Sequence, residues 1–385
     1  MRSIRLAALT AIAIVTTACA AADAQVAPKP TPGQNIMTWT QEQRTEWFRN
    51  LERTVPTAVV KHGTKVHPLP HAPGEFDVQF TLAGEPVDIA GYMRLNNVNG
   101  LLVMKDGKIL TERYGLGRGE QDRWTAWSVT KSVTSTLVGA AIKDGAIHSV
   151  DDPVTTYLPE LVGSAYDGVT VKNLLNMASG VKWDEDYESQ SSDFFHMLDQ
   201  PFIDQMKTLP REVAPGSKFH YNTGDTNLLG LVVARAVKKP ISQYLSEKIW
   251  APYGMEQDAT WWTNHGQEVA GANLSMTLRD FARFGQFFMD GGKIDGESVL
   301  PDGWLEEASA AQLPTGWQRA PGYGYKWWVQ SPGKFMALGI FGQTIYIEPA
   351  KKLVVVLNQS WPRADNDTTY SREMPFLQAV SAAVD

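Results

Sequence analysis

The strand-like segments of this chain are divided between its two ends, and a long stretch of helical pattern separates them. Two apolar runs, 100–104 and 108–114, flank Lys105-Asp106-Gly107, and an Asp-Gly pair between such runs favours a β-hairpin. Further β-type segments follow residue 320: Lys334 to Leu338, Gln343 to Ile347 and Lys352 to Leu357. Strands of one sheet lie side by side, so this order predicts a sheet that both chain ends build around a helical insertion.

The helical periodicity predicts which segments fill the insertion and flank the sheet. A short amphipathic helix is expected from Thr40 to Thr54, and others at 128–143, 171–177, 228–237, 277–289 and 371–384. These patterns divide the chain into a leader (1–24), an N-terminal extension (25–95), an α/β sheet domain (96–145 and 310–385) and a mostly helical domain (146–309).

The leader has the pattern of a secretory signal peptide. Two arginines precede the apolar run 6–15, which is too short to span a bilayer, and 22–24 has the small-x-small form of a cleavage site. Residues 1–24 therefore predict a periplasmic or secreted protein. An alternative makes Cys19 the modified residue of a lipoprotein, but Thr16 fits such a signal poorly.

Composition excludes several classes of function. The 385 residues include 35 basic and 42 acidic side chains, a balance of −7 that gives no footprint for nucleic acid. One cysteine cannot form a disulfide framework, and the seven histidines do not form a His-Glu-x-x-His zinc motif. No metal or cofactor is therefore expected. The longest apolar runs fall short of a transmembrane span, and the oligomeric state stays open, a homodimer included.

The chemistry is expected to depend on a serine. A Gly-x-Ser-x-Gly elbow is absent, whereas Ser-x-x-Lys occurs three times, at 128–131, 179–182 and 331–334. About one such match is expected by chance in a chain of this length. Glycine or proline follows the second and third serines directly, so only Ser128 begins a helical run.

Residues three apart share a helical face, so the Lys131 amine is expected beside the Ser128 hydroxyl. An amine that burial keeps neutral can take the serine proton, and the N–H groups of a helix N-terminus favour an oxyanion. The alternative makes Ser128 an ordinary helix cap and Lys131 a solvated residue.

Two later segments supply further candidates. Tyr221 ends the polar loop 215–225, where a phenol beside an ammonium could pass a proton to a leaving group, although a lone tyrosine is more often a buried aromatic. Segment 337–343 reads as a strand opened by glycines. There the Ile340 N–H could join that of Ser128 as an oxyanion donor, or the glycines could mark a β-bulge near a sheet edge.

Taken in order, these motifs resemble the serine β-lactamase/penicillin-recognising superfamily: Ser128-Val-Thr-Lys131, Tyr221-Asn-Thr223 and Gly339-Ile-Phe-Gly-Gln343. The hairpin 100–114 and the helix 277–285 are similar to the class C β-lactamase-related branch. The resemblance covers the chain from about residue 98 onward. It implies a β-lactamase-like α/β (α+β) fold, in which helices flank an antiparallel sheet from both chain ends and a mostly helical domain is inserted.

Two departures from the β-lactamase pattern narrow the function. Thr223 stands where a carboxamide is expected, and Ala337-Leu338-Gly339 lacks the cation that would meet a β-lactam carboxylate. The form of 339–343 instead resembles 6-aminohexanoate-dimer hydrolases and related carboxylesterases, which implies hydrolysis of short amides or esters through an acyl-serine. The alternatives are a β-lactamase or D,D-peptidase, a penicillin-binding-type protein without turnover, and a structural envelope protein.

The same resemblance gives candidate substrate-binding residues. In the dimer hydrolases a loop closes over the substrate, which implies that Tyr187 and, less strongly, Asp193 contact it here. The carboxylates of the corresponding loop, 183–188, are expected to be solvated. Further cleft candidates are Asn273 and one of two tryptophans, because the adjacent strand residues Trp327 and Trp328 point to opposite faces.

Overall fold

The computed structural model describes residues 36–365 and 367–384. Its main sheet has eight strands, each antiparallel to its neighbours, which confirms one antiparallel sheet built from both chain ends. From one edge to the other the strands are Leu313–Pro314, Gly322–Tyr323, Trp328–Ser331, Lys334–Gly339, Gln343–Glu348, Leu353–Gln359, Val98–Lys105 and Lys108–Tyr114. The predicted leader, with Cys19, lies outside the described residues.

Both faces of this sheet are buried, because its strands alternate between two apolar layers. Leu102 and Met104 belong to the larger core, which the inserted helices complete. Leu101 and Val103 point the other way, into a smaller core that includes the C-terminal helix. The sheet therefore separates an inner helical layer from an outer layer.

The remaining elements surround the sheet. The α-helices are Gln41–Arg49, Ile89–Leu95, Thr130–Lys143, Val171–Leu175, Asp193–His196, Phe202–Met206, Thr223–Val237, Ile241–Leu245, Ala251–Tyr253, Leu278–Met289, Trp304–Ser309 and Asp367–Ala383. A second sheet contains Thr57–Val60, Trp124–Thr125, Ala259–Asn264, Gln267–Glu268 and Leu274–Met276. Two strand pairs are separate, Phe80–Leu82 with Glu85–Val87 and Lys293–Ile294 with Glu297–Ser298. Among the described residues, no helix is both long and apolar enough to cross a bilayer.

Segment 337–343 differs from its prediction as one strand. The first strand ends at Gly339, a 3-10 turn covers Ile340–Gly342, and the next strand begins at Gln343. Phe341 and Gly342 have φ values of 60° and 91°, and this left-handed backbone reverses the chain. Ile340 is therefore part of a tight connection between two central strands.

Candidate active site

Ser128 lies in a 3-10 turn, Trp127–Val129, directly before the helix Thr130–Lys143. Trp127 has a φ of 45°, and a left-handed backbone at a bulky residue costs about 1–3 kcal/mol. Its indole is buried, so surrounding packing holds this conformation. Ser128 makes no side-chain cap for the helix and lines a cavity of about 510 Å³.

Lys131 lies beneath Ser128 and is only 1% exposed. Its Nζ donates hydrogen bonds to Ser128 Oγ (2.9 Å), Thr223 Oγ1 (3.0 Å) and the Gly271 carbonyl (2.7 Å). Burial lowers the pKa of Lys131 to about 8, and the charge of Glu185 partly opposes this. A solvated first-turn lysine would have neither this burial nor these partners, so the structure does not support that alternative.

Tyr221 completes the cluster. Its ring centroid lies 5.0 Å from Lys131 Nζ, and the ring stacks on Trp328 at 5.5 Å. Burial and the charge of Glu185 raise the pKa of the Tyr221 phenol well above its usual value, whereas a hydrogen bond with the Ser128 side chain lowers it. The phenol therefore stays protonated at neutral pH, and the three predicted side chains meet at one point.

The turn after Gly339 lies against the nucleophile turn. A Cβ on Gly339 would come within 2.6 Å of the Ala126 carbonyl oxygen and 3.0 Å of Ser128 N, so this close approach requires glycine. Ile340 and Ser128 line the same cavity. Gln343 holds the turn by donating from Nε2 to the Ile340 carbonyl (3.2 Å), a role that the sequence did not indicate.

The acidic loop, residues 183–188, contains one carboxylate that is half-buried and hydrogen-bonded. Glu185 accepts hydrogen bonds from Thr223 N (2.9 Å), Thr223 Oγ1 and Tyr187 Oη (3.1 Å). The expectation of a solvated side chain is therefore wrong for Glu185, because Thr223 in the first turn of the helix Thr223–Val237 and the loop residues Trp183 and Tyr187 supply its donors. It holds for Asp186 and Glu188, which are exposed.

The two tryptophans face different surroundings, although only Trp328 belongs to a strand, Trp328–Ser331, and Trp327 directly precedes it. Trp328 lines the cavity, as does Tyr187. Trp327 is fully buried and packs against Phe288 at 4.5 Å, so the expectation of a tryptophan in the cleft is met by Trp328 and not by Trp327. The inner face of the sheet here is core, which is why Trp327 has no access to the cavity.

Asn273 and Asp193 lie outside the cavity lining, contrary to their prediction as substrate contacts. Asn273 is 2% exposed, and its Oδ1 accepts a hydrogen bond from Thr125 Oγ1 (3.0 Å). The Asp193 carboxylate accepts from Asp184 N (2.9 Å) and so anchors the base of the acidic loop. The Asn273 side chain is therefore engaged with the buried Thr125 side chain, and the Asp193 side chain with the loop backbone.

Several cavity residues carried no recognised signal in the sequence. Phe219 is two positions before Tyr221, and in an extended segment this spacing places both rings on one side, which could have been inferred. The other walls come from distant segments: Thr315, Trp317, Leu338, Ala364, Asp365 and Tyr370. In the part of the chain that the structure describes, the lining includes four carboxylates and neither lysine nor arginine. Across the described residues, no group of three or more His, Cys, Asp or Glu side chains is placed to hold a metal.

A family model for β-lactamases matches residues 95–372, which is most of the chain. The chain belongs to the β-lactamase family. Within this β-lactamase family, the chain is 30% identical over 371 residues to a 6-aminohexanoate-dimer hydrolase of Paenarthrobacter ureafaciens, covering 90% of this chain and 93% of the relative.

Solved structures support the same β-lactamase-family fold. A Bacillus anthracis protein provisionally named a 6-aminohexanoate-dimer hydrolase superposes with a TM-score of 0.81 at 23% identity, over 92% of this chain and 98% of that one. A family VIII carboxylesterase has a TM-score of 0.61 at 17% identity, over 76% of this chain and 95% of its own. At these identities the likeness establishes the fold alone.

Proposed function

We propose that the protein is a serine hydrolase that cleaves short amides or esters through an acyl-serine intermediate. The observation that carries this proposal is the buried amine of Lys131, 2.9 Å from Ser128 Oγ. Because burial lowers the pKa of this amine to about 8, a useful fraction is neutral near neutral pH and can accept the serine proton.

The reaction follows from this arrangement. Ser128 Oγ bonds to the carbonyl carbon while its proton moves to Lys131, and the carbonyl electron pair becomes an oxyanion facing the Ser128 and Ile340 amides. The bond to the leaving nitrogen or oxygen then breaks, and Tyr221 and Lys131 return a proton to it. Water attacks the acyl-serine in the same way, releasing the acid and restoring the serine.

The cavity supports a substrate that is neutral or carries an amine. Rings of Phe219, Trp317 and Trp328 provide apolar contact, while carboxylates line another part of the wall. Among the described residues, neither lysine nor arginine lines the cavity, so a β-lactam carboxylate has no cationic partner in this lining. The name of the Paenarthrobacter relative, a hydrolase of an amino-acid dimer, agrees with an amine-bearing amide.

The test compares the wild type with Ser128→Ala on a panel of p-nitrophenyl esters, linear amides and nitrocefin. We expect turnover of esters or amides by the wild type, poor turnover of nitrocefin, and loss of activity in the folded variant. Undiminished ester turnover by Ser128→Ala would reject the assignment. A wild type that a fluorophosphonate labels at Ser128 but that turns over nothing would support the binding-only alternative.

We also propose that the enzyme acts outside the cytoplasm after removal of residues 1–24. The charge pattern and the short apolar run of this segment support export. Fractionation of expressing cells and N-terminal sequencing of the product test it. A cytoplasmic product that keeps its leader would contradict the proposal.

A further inference from the structure

Thr223 connects the acidic loop to the amine below Ser128. The Thr223 hydroxyl donates its proton to Glu185 Oε1 and accepts a hydrogen bond from Lys131 Nζ at 3.0 Å. The other carboxylate oxygen of Glu185 accepts from Thr223 N at 2.9 Å. A hydroxyl has one proton to donate, so Glu185 fixes the direction in which the Thr223 hydroxyl points.

We propose that Glu185, acting through Thr223, is a positioning residue that orients Lys131 and sets the pH at which this amine becomes a base. The inference rests on the proposed function and assigns a role to two residues that the reaction scheme does not use. Thr223 presents only its lone pairs to Lys131 while Glu185 holds its proton, and this geometry favours the ammonium form.

The charged and titratable groups facing Lys131 come from several elements. Tyr221 lies above the amine, and Glu185 reaches it through Thr223 and favours its charged form. From the side of the main sheet, the buried Lys326 shares a repulsive charge interaction with Lys131, and the nearby Asp225 partly compensates Lys326. Tyr221 has a hydrogen-bonded path to the Lys131 amine through Ser128, and Glu185 has one through Thr223. Of the two carboxylates, Glu185 and Asp225, only Glu185 is linked to the amine in this way.

The same carboxylate also joins the acidic loop to the helix Thr223–Val237 through its two hydrogen bonds with Thr223. Glu185 Oε1 accepts from Tyr187 Oη at 3.1 Å, and both residues line the cavity. A shift of the acidic loop would therefore disturb the acceptor that Thr223 offers to Lys131. The relay thus links the position of the loop to the charge of the base.

The experiment measures the pH dependence of two quantities: kcat/KM for a neutral p-nitrophenyl ester, and the rate at which a fluorophosphonate labels Ser128. Wild type, Glu185→Gln, Thr223→Val and Thr223→Ser are compared. Both quantities should rise with pH as the Lys131 amine loses its proton, and we call this part of the profile the rising limb. Removing the charge in Glu185→Gln disfavours the Lys131 ammonium, so we expect the rising limb to move to lower pH. Thr223→Val removes one acceptor from Lys131 and should move it in the same direction, whereas Thr223→Ser should keep the wild-type limb.

The matched control is Asp184→Asn, which removes an equal charge one residue away. The Asp184 carboxylate accepts a hydrogen bond from Asp186 N and does not line the cavity, so its limb should stay in place. Because Glu185 and Thr223 act as one path, the double variant Glu185→Gln/Thr223→Val should shift less than the sum of the single shifts.

A limb that stays at the wild-type pH in both Glu185→Gln and Thr223→Val would overturn the relay. An equal shift in Asp184→Asn would also overturn it, since a general charge effect would then be enough. If circular dichroism shows that either Glu185→Gln or Thr223→Val does not fold, the other of these two variants, compared with Thr223→Ser, still tests the relay. Failure of the proposed function has a different signature, because the wild type would then turn over no ester or amide, whether or not Ser128 is labelled.

Discussion

At the scale of single residues, the proposed chemistry depends on one buried amine whose ordinary pKa is far above neutral pH. The Lys131 ammonium form cannot accept the serine proton, and burial brings its pKa down to about 8. The Tyr221 phenol is shifted the other way and remains an acid. Two neighbouring groups with opposite shifts are suited to general base and general acid roles.

This arrangement predicts a pH profile for kcat/KM with a neutral ester. The value should rise with pH through about 8 and level off above it, because the neutral amine is the active form and the phenol still holds its proton. Stopped assays from about pH 6 to about pH 9.5 measure this rise in kcat/KM, and the hydrolysis seen with Ser128→Ala is subtracted as background. A profile that is flat across this range, or that falls with pH, would contradict a lysine base.

A second prediction at this scale concerns Lys326, which is 1% exposed and has a left-handed φ of 64°. Burial lowers the pKa of Lys326, and the nearby Asp225 carboxylate, which is also buried, opposes that shift. Lys326→Met removes the charge that compensates Asp225 across the core, without breaking a direct ion pair, and should lower the free energy of unfolding by about 1–3 kcal/mol.

The double variant Asp225→Asn/Lys326→Met should recover part of that loss, because neither charge is then left alone in the core. Urea unfolding followed by tryptophan fluorescence gives both free energies. Equal losses in the single and double variants would show that Lys326 and Asp225 do not compensate each other.

At the scale of elements, the helix Gln41–Arg49 supports both sides of the proposed oxyanion site, although it precedes the segment matched by the family model. Phe48 packs against Trp127 at 5.5 Å and Phe341 at 5.1 Å. Trp127 directly precedes Ser128, Phe341 directly follows Ile340, and both residues have positive φ values. One N-terminal side chain therefore stabilises two strained positions that orient the amides.

Phe48→Ala is expected to lower kcat by about 10- to 100-fold, because a small displacement of the amides weakens their contact with the oxyanion. KM should change less, since Phe48 does not line the cavity. Steady-state kinetics on an ester, with Phe48→Leu as the conservative variant, provide the measurement. The role fails if kcat is retained in Phe48→Ala, or if only KM changes.

At the scale of the whole molecule, local patterns predicted the elements and long-range contacts decided the site. Helix periodicity and an Asp-Gly turn are properties of neighbouring residues, so the helix after Ser128 and the hairpin 98–114 were predictable. Strand alternation predicted that only one of Trp327 and Trp328 lines the cleft. It could not predict which one, because the sequence did not show which face of the sheet is core. Glu185 could not be assigned, because its partner Thr223 is 38 residues away along the chain.

The N-terminal extension was hardest to predict for the same reason. The strand Thr57–Val60 is defined by its pairing with Ala259–Asn264, about two hundred residues later. Tyr92, in the helix Ile89–Leu95, stacks on Phe376 of the C-terminal helix at 4.2 Å. Such contacts leave no local pattern in the sequence. They place one part of the extension, with Phe48, against the turn that carries Ser128, and another part, with Tyr92, in the outer layer.

This division into layers predicts that stability and activity can be separated. Phe376 is fully buried in the outer layer, stacked on Tyr92 and 5.8 Å from Phe80, with the main sheet between it and the inserted helices. Phe376→Ala should lower the free energy of unfolding by about 3–5 kcal/mol, the usual cost of a large cavity. At a temperature where the variant stays folded, kcat should remain that of the wild type.

Phe48→Ala provides the comparison, because it also removes a buried phenylalanine ring. Both variants should lose stability in chemical denaturation, but only Phe48→Ala should lose kcat. If kcat falls equally in both, the oxyanion site depends on global stability and the support from Phe48 has no special role. If the free energy of unfolding of Phe376→Ala equals that of the wild type, the outer layer does not stabilise the protein as its burial implies.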